Sequence, residues 1–448
     1  MFSRRGFIRI GAAAAGSLAL RPFGLLPAMA AEGPDYRVLV CIFLYGGNDS
    51  NNMVVPMDDS SYQAYLSIRG NLALSASELT QPVNSVSNAP YAFHGKLAEL
   101  ASMFSSRELA VVANVGPLVQ PLTRAQYQQS QGSIPSNLFS HADQQMQWQT
   151  SVSLGHSATG WAGRVADYIE KQGMNPGSFP VFVSLAGNSL LGTGAETSPV
   201  AVSPGQSLQL KGFRDHCPDC TARWDALNGL LNSDSGLSLA QAANATLRNS
   251  MADAQALDAA LSGAPALKTV FPKTGLGAQL HEVAQIISVR SELQLNRQIF
   301  FCSLGGFDTH TNEINTHNAL YPQLSQAIAA FYDATQELGV AEHVTTFTES
   351  DFSRTFQPTS GGGSDHAWGS HHLVLGGAVK GGQIYGQFPQ FDLGGPNDTD
   401  TRGRWIPTTA VDQYGATLSS WFGVPDDALG SIFENFPNFK SQKLGFLG

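Results

Sequence analysis

The stretch Tyr36 to Tyr45, YRVLVCIFLY, is almost continuously apolar and rich in β-branched and aromatic residues. A surface strand would alternate apolar and polar positions, so this run predicts a strand buried on both faces of a parallel sheet. Leu109–Val115 (LAVVANV), Pro180–Ala186 (PVFVSLA), Gln298–Leu304 (QIFFCSL) and His343–Thr348 (HVTTFT) read the same way. Apolar residues at helical spacing occupy Leu280–Leu293 and Ala319–Leu338. Strand and helix therefore alternate, which predicts an α/β fold with a doubly wound, mostly parallel sheet flanked by helices. The interval from about 203 to 272 is rich in Ala, Leu, Ser, Asn and Asp and reads as a helical insertion, with Leu237–Leu261 its clearest helix.

Three of these strands run into an acid at or just past their C-terminal ends. Tyr36–Tyr45 leads to Asp49, Gln298–Leu304 to Asp308 and then His310, and His343–Thr348 to Glu349 and Asp351. In an open α/β sheet the ligand crevice lies outside the carboxyl ends of the strands, so loops distant in sequence can converge there. A fourth segment, Asp365-His366-Ala367-Trp368-Gly369-Ser370-His371-His372, adds three histidines. Carboxylates with imidazoles form the ligand set of a divalent ion such as zinc or manganese. Several acids in one crevice also repel one another unless a cation or proton compensates them. Each piece alone has a plainer reading. An Asp after a strand is commonly a helix N-cap, and neighbouring histidines on a strand face opposite ways.

Residues 1–30 read as a twin-arginine export signal: Arg4-Arg5 precede a weakly apolar Ala/Gly-rich stretch, and Ala28-Met29-Ala30 offers a cleavage site. That stretch is too short and too interrupted to span a membrane. Without its four arginines the chain carries 21 basic against 35 acidic residues. Such a balance disfavours nucleic acid and anionic membrane surfaces as partners. The expected partner during export is the twin-arginine translocase. Cys217-Pro218-Asp219-Cys220 reads as a small loop disulfide, because a redox-active pair requires a helix N-terminus and no helix start is legible there. Cys41 and Cys302 lie in strand-like runs and read as buried thiols.

Six segments together carry a family resemblance. They are Gly46-Gly47-Asn48-Asp49, Phe139-Ser140-His141, Thr159-Gly160-Trp161-Ala162-Gly163-Arg164, Gly306-Phe307-Asp308-Thr309-His310, Ser350-Asp351-Phe352-Ser353-Arg354-Thr355, and Asp365-His366 with His371-His372. In this order they resemble domain-of-unknown-function family 1501, whose members are commonly exported by the twin-arginine route and grouped with alkaline phosphatases and sulfatases. The resemblance covers nearly the whole of residues 31–448 and implies an alkaline phosphatase-like α/β domain. It implies one or two divalent ions (zinc, manganese or calcium) held by Asp49, Asp308, His310, Asp351 and either His366 or His371. It makes Ser140 the closest match to the nucleophile, with a plain helix N-cap as the alternative. Arg354 or Arg164 would grip the oxyanion, with an ion pair to a neighbouring acid as the alternative, and His94 and His141 are further proton carriers. Two departures stand out: Phe352 occupies a position where relatives often place a His, and Asp351 one where the family commonly shows Glu. The resemblance thus implies an exported hydrolase of phosphate or sulfate esters, with an anionic small molecule or polymer as substrate, or a non-catalytic exported anion- or polymer-binding or cell-surface assembly protein with a degenerate site.

Overall fold

The computed structural model describes residues 35–448 except 208–209, 211, 214–216, 234–235 and 441. The export-signal expectations for residues 1–30 therefore lie outside the described residues. The chain divides into Met1–Tyr36 and Arg37–Gly448, and the second unit carries the fold.

In chain order the strands are β1 (Arg37–Tyr45), β2 (Val54–Pro56), β3 (Val83–Asn84), β4 (Pro90–Phe93), β5 (Leu109–Gly116), β6 (Phe182–Ser184), β7 (Val200–Ala201), β8 (Arg297–Gly305), β9 (Val344–Ser350), β10 (Ser370–Leu375), β11 (Ile384–Gly386) and β12 (Thr409–Ala410). The main sheet has the order β11-β5-β10-β9-β1-β8-β6-β7, with β12 also on β5. Only β10 runs against its neighbours β5 and β9, and every other pairing is parallel. A small antiparallel sheet, β2-β4-β3, lies apart from it. The fold is thus mixed α/β with a central, mostly parallel sheet flanked by helices.

All five strand-like runs read from the sequence enter this sheet, and β1 sits at its centre between β9 and β8. Val38 through Leu44 are at most 1% exposed, which is why that run has no polar face. Each such fully buried aliphatic or aromatic side chain contributes about 1.5–3 kcal/mol of burial free energy. Helices Gly275–Ser288 and Glu313–Glu337 overlap the predicted Leu280–Leu293 and Ala319–Leu338; both start earlier, and the first ends at Ser288, short of Leu293. Helices Pro218–Leu231 and Ser238–Ser262 fill much of the interval between β7 and β8. Among the described residues no helix is long and apolar enough to cross a membrane.

One core residue breaks the apolar rule. Glu349 on β9 is fully buried, opposite Phe43 in the register. Burial pushes its carboxyl up to about 8, opposed by the Trp161 indole and the Cys41 thiol beside it. The folded state therefore keeps a proton that the unfolded chain releases above its ordinary carboxylate range. Stability lost this way grows as pH rises from about 5 and levels off above about 8. Glu349→Gln removes that loss. Its stability relative to the parent should rise by up to about 1.4 kcal/mol per pH unit across this window, read by urea unfolding at pH 5.5 and 8.5. A difference that does not change with pH would refute the neutral, buried carboxyl.

Candidate metal centre

Because β9, β1 and β8 are adjacent and parallel, their carboxyl ends open on one edge of the sheet. The loops that follow them, 46–49, 306–310 and 351–355, meet there. The β10 strand runs the other way, so the loop leading into it, 363–369, arrives at the same edge. The approach is close enough to demand glycine. A Cβ on Gly46 (φ +111°) would lie 2.4 Å from the Asp308 nitrogen, and one on Gly47 (φ +78°) 2.3 Å from the Phe352 ring.

Four side chains converge at this edge. Asp308 Oδ1 lies 3.1 Å from His310 Nε2, 3.5 Å from His141 Nε2 and 3.7 Å from His366 Nε2. His310 Nε2 and His366 Nε2 are 3.0 Å apart. Ligand atoms of His141, Asp308 and His366 all fall within 4.8 Å of one another.

Each imidazole is held through its other nitrogen. His141 Nδ1 is 2.7 Å from Asp351 Oδ2, His366 Nδ1 is 2.7 Å from the Phe139 carbonyl, and His310 Nδ1 is 3.3 Å from Asp365 Oδ1. A carbonyl or carboxylate oxygen only accepts, so Nδ1 of each ring carries a proton, and in the neutral ring the Nε2 lone pair faces inward. His141 Nε2 is buried with no hydrogen-bond partner. Three inward lone pairs and a carboxylate repel one another unless a cation or proton lies among them. Three nitrogens and one oxygen suit zinc or a similar divalent ion, so the residues fit the implied metal.

The surroundings stabilise this arrangement. Asp351 is fully buried; its Oδ1 accepts from the Gly46 N–H (3.1 Å), and its Oδ2 also accepts from Gln145 Nε2 (2.7 Å). The Asp351 hydrogen bond raises the His141 pKa against the opposing effect of burial. Burial lowers that of His366, aided by the Arg354 charge and opposed by the Phe139 carbonyl. For Asp308, burial acts upward, but the hydrogen bond and charge of Arg354 hold the carboxyl below its usual range. Phe139 adopts φ +71°, an uncommon backbone state for a side chain of this size, and its carbonyl is the one that anchors His366. Phe352 packs its ring 4.8 Å from that of His141 and 4.7 Å from that of His366. The position after Asp351 thus supplies an apolar wall, not a further ligand.

Asp351 therefore orients His141. Asp351→Asn places an amide where three donors now meet a carboxylate. Zinc affinity by calorimetry should fall about 10–100-fold, the usual cost of losing an outer partner of a metal-bound His. Parent-like affinity would show that Asp351 does not position His141.

Several residues singled out by sequence lie elsewhere. Asp49 is fully buried, N-caps Ser50–Met53, and has one oxygen on Arg69 and the other on Asn51 (2.8 Å). Its carboxylate is taken up by a structural pair, not by the histidines. His371 is buried on β10, where its Nδ1 accepts from the Asn114 N–H (3.0 Å) and its ring lies 4.2 Å from that of Phe388. Of the two late histidines the loop residue His366 reaches the centre, because His371 has already entered the strand.

Ser140 is the N-cap of helix His141–Thr150 and donates to Asp143 Oδ2 at 2.6 Å. Arg354 is fully buried, donating to Gly46 O (2.6 Å), Gly47 O (3.0 Å) and Ser364 O (3.0 Å) as well as to Asp308. It braces Asp308 and has little left to offer a substrate oxyanion. Arg164 donates to the carbonyls of Thr150, Thr159 and Ile432, so it ties helices together away from the centre. His94 is buried against Tyr321 and accepts from the Lys96 N–H (3.1 Å). Sequence reasoning ranked His141 only as a proton carrier, although its place just after an N-cap Ser was a usable sign. Gln145, one helical turn further on, was missed.

A family model described as "Protein of unknown function (DUF1501)" matches residues 36–399. The chain belongs to this family. No curated protein matches the sequence. Among solved structures, the C-terminal periplasmic domain of EcEptC from Escherichia coli is similar over 89% of this chain and 85% of that one, at 10% identity and a TM-score of 0.36. Its complex with Zn aligns over the same shares at 10% identity and 0.34. Ps i-CgsB in complex with k-i-k-neocarrahexaose aligns over 90% of this chain and 77% of that one, at 7% identity and 0.35. These likenesses are too loose to carry residues or chemistry across to the DUF1501 chain.

Proposed function

We propose that this DUF1501 chain is an exported, metal-dependent hydrolase of phosphate or sulfate esters on an alkaline phosphatase-like sheet. The observation that carries the reading is the convergence of His141, His310 and His366 Nε2 with Asp308 at the carboxyl ends of parallel strands. A divalent ion there would supply Lewis acidity and lower the pKa of water. His141, His310, His366 and Asp308 would hold it, and Asp351, Asp365 and the Phe139 carbonyl keep the three rings aimed. Arg354 offsets the charge of Asp308. Ser140 Oγ is committed to Asp143, so in this reading the attacking group is water. Arg402, bound to Asp365 at 2.5 Å and partly exposed, stands one carboxylate away from His310 as a positive group for the anionic ester.

The test is metal content of the purified mature chain, paired with turnover of aryl phosphate and aryl sulfate esters. About one ion per chain and turnover restored by zinc, manganese or calcium after chelation support the hydrolase. Metal-free protein inert with all three ions would sink it. The commitment of Ser140, Arg354 and Arg164 to structural bonds favours a second reading, a non-catalytic protein that binds an anion or polymer. Stoichiometric metal without turnover of either ester would favour that reading.

Export remains part of the proposal. The Cys217–Cys220 pairing supports an oxidising compartment. Replacing both Arg4 and Arg5 by Lys should leave folded protein inside the cell, and unchanged export would exclude the twin-arginine route.

A further inference from the structure

The cysteine pair occupies a place that sequence reading did not foresee. Helix Pro218–Leu231 starts directly at Cys217, which is its N-cap, with Pro218 in the first turn. The Cys220 N–H closes that turn on the Cys217 carbonyl at 3.1 Å. A sulfur at a helix N-terminus lies where free backbone N–H groups and the helix dipole stabilise a thiolate. The two residues also differ in exposure: Cys217 is half-buried, while Cys220 is 2% exposed. A disulfide between a partly exposed cysteine at a helix N-cap and a buried one in the first turn has the layout of an exchange site rather than of a passive staple.

We propose that Cys217 and Cys220 form a thiol–disulfide exchange site that oxidises protein or small-molecule dithiols. A substrate thiolate attacks Cys217 Sγ, the Cys217–Cys220 bond breaks, and Cys220 leaves as a thiolate that takes up a proton. The second thiolate of the substrate then attacks its own sulfur in the mixed disulfide. Cys217 departs as a thiolate held by the first-turn N–H groups. One dithiol becomes a disulfide and this pair becomes two thiols; a small disulfide such as oxidised glutathione returns it to the starting state. Asp219, in the same first turn, opposes the thiolate. The site uses none of the residues of the metal centre.

The experiment equilibrates the full mature chain in glutathione buffers of graded reduced-to-oxidised ratio, quenches with acid, alkylates, and maps each cysteine by mass spectrometry. Cys41 and Cys302 are fully buried and report whether the fold is intact. The expected result is half-reduction of the Cys217–Cys220 pair within these buffers while Cys41 and Cys302 stay unmodified. Asp219→Asn should shift half-reduction several-fold toward more oxidising buffers. In Cys220→Ser, Cys217 should be alkylated faster than free glutathione and should attack a disulfide such as oxidised glutathione, staying linked to one half as a mixed disulfide while the other half leaves as a thiolate. A pair that stays oxidised in the most reducing buffer overturns the proposal. So does reduction only together with Cys41 and Cys302, or a Cys217 in Cys220→Ser no more reactive than glutathione.

Discussion

Asp308→Asn is expected to abolish stoichiometric metal binding and leave the fold standing. Asp308 offers the one carboxylate among three imidazoles, and its Oδ1 is the atom all three Nε2 groups face. The amide has the same shape but no charge to offset a divalent cation, and it removes the partner of the buried Arg354. Affinity should fall by more than the roughly 10–100-fold that losing an outer partner costs. The side chain is half-exposed, and Arg354 retains three carbonyl acceptors, so the unfolding midpoint should move little. Calorimetric titration with zinc and a denaturation curve on the same sample separate the two effects. Parent-like zinc affinity would exclude Asp308 as a ligand, and with it the four-group centre.

Arg69→Met should produce the largest loss of stability. Arg69 is fully buried, contacts Asp49 and Glu313 through Nη2, and donates through Nη1 to the Thr355 and Phe356 carbonyls at 3.3 Å. Burial pushes the Asp49 carboxyl up, but Arg69 and the surrounding hydrogen bonds hold it below its usual range. Burial and the Asp49 charge push Glu313 up to about 8, and burial pushes His317 down to about 3. At neutral pH the cluster is therefore one ion pair with a protonated Glu and a neutral His. Methionine fills similar space but leaves Asp49 charged and unpaired, which costs about 3–5 kcal/mol.

The sign with pH follows from the same groups. In the parent, the lowered Asp49 pKa adds stability above the ordinary carboxylate range and loses it in more acidic solution. In the variant, Asp49 can escape the cost only by taking up a proton, so the deficit shrinks as pH falls from 8 toward 5. Urea unfolding at both values reads it. A deficit under about 1 kcal/mol at pH 8 would mean that the pair stabilises no more than a surface salt bridge.

This cluster also shows why Asp49 was misread. An acid after the central strand looks the same in sequence whether it faces a metal or an arginine. Arg69 lies 20 positions further on in a helix and Glu313 264 positions further on, and neither carries a local sign of its partner. Glu313 also accepts from Thr309 (3.0 Å) and from Ser364, so the cluster braces from behind the two loops that carry Asp308, His310 and His366. The His366–His371 ambiguity had a similar cause. It depended on where β10 begins, and Ser370–Leu375 contains two histidines, which no hydrophobic pattern marks as a core strand.

The cysteine pair gives a third instance. Cys217 caps its helix without a side-chain hydrogen bond, so the usual Ser, Thr or Asp signature of a helix start is missing.

Sequence by itself determined the sheet, because long uninterrupted apolar runs can be stable only with both faces covered, and YRVLVCIFLY had to be central. It also determined the family and the edge at which the acid-bearing loops gather, since parallel strands deliver their following loops to one side. Tertiary structure alone decided which acids and histidines meet. Ligation depends on ångström-scale distances and on what each group finds as an alternative partner. Asp49 found Arg69, Ser140 found Asp143, Arg354 found three carbonyls, and His141 was left with an inward Nε2 beside Asp308.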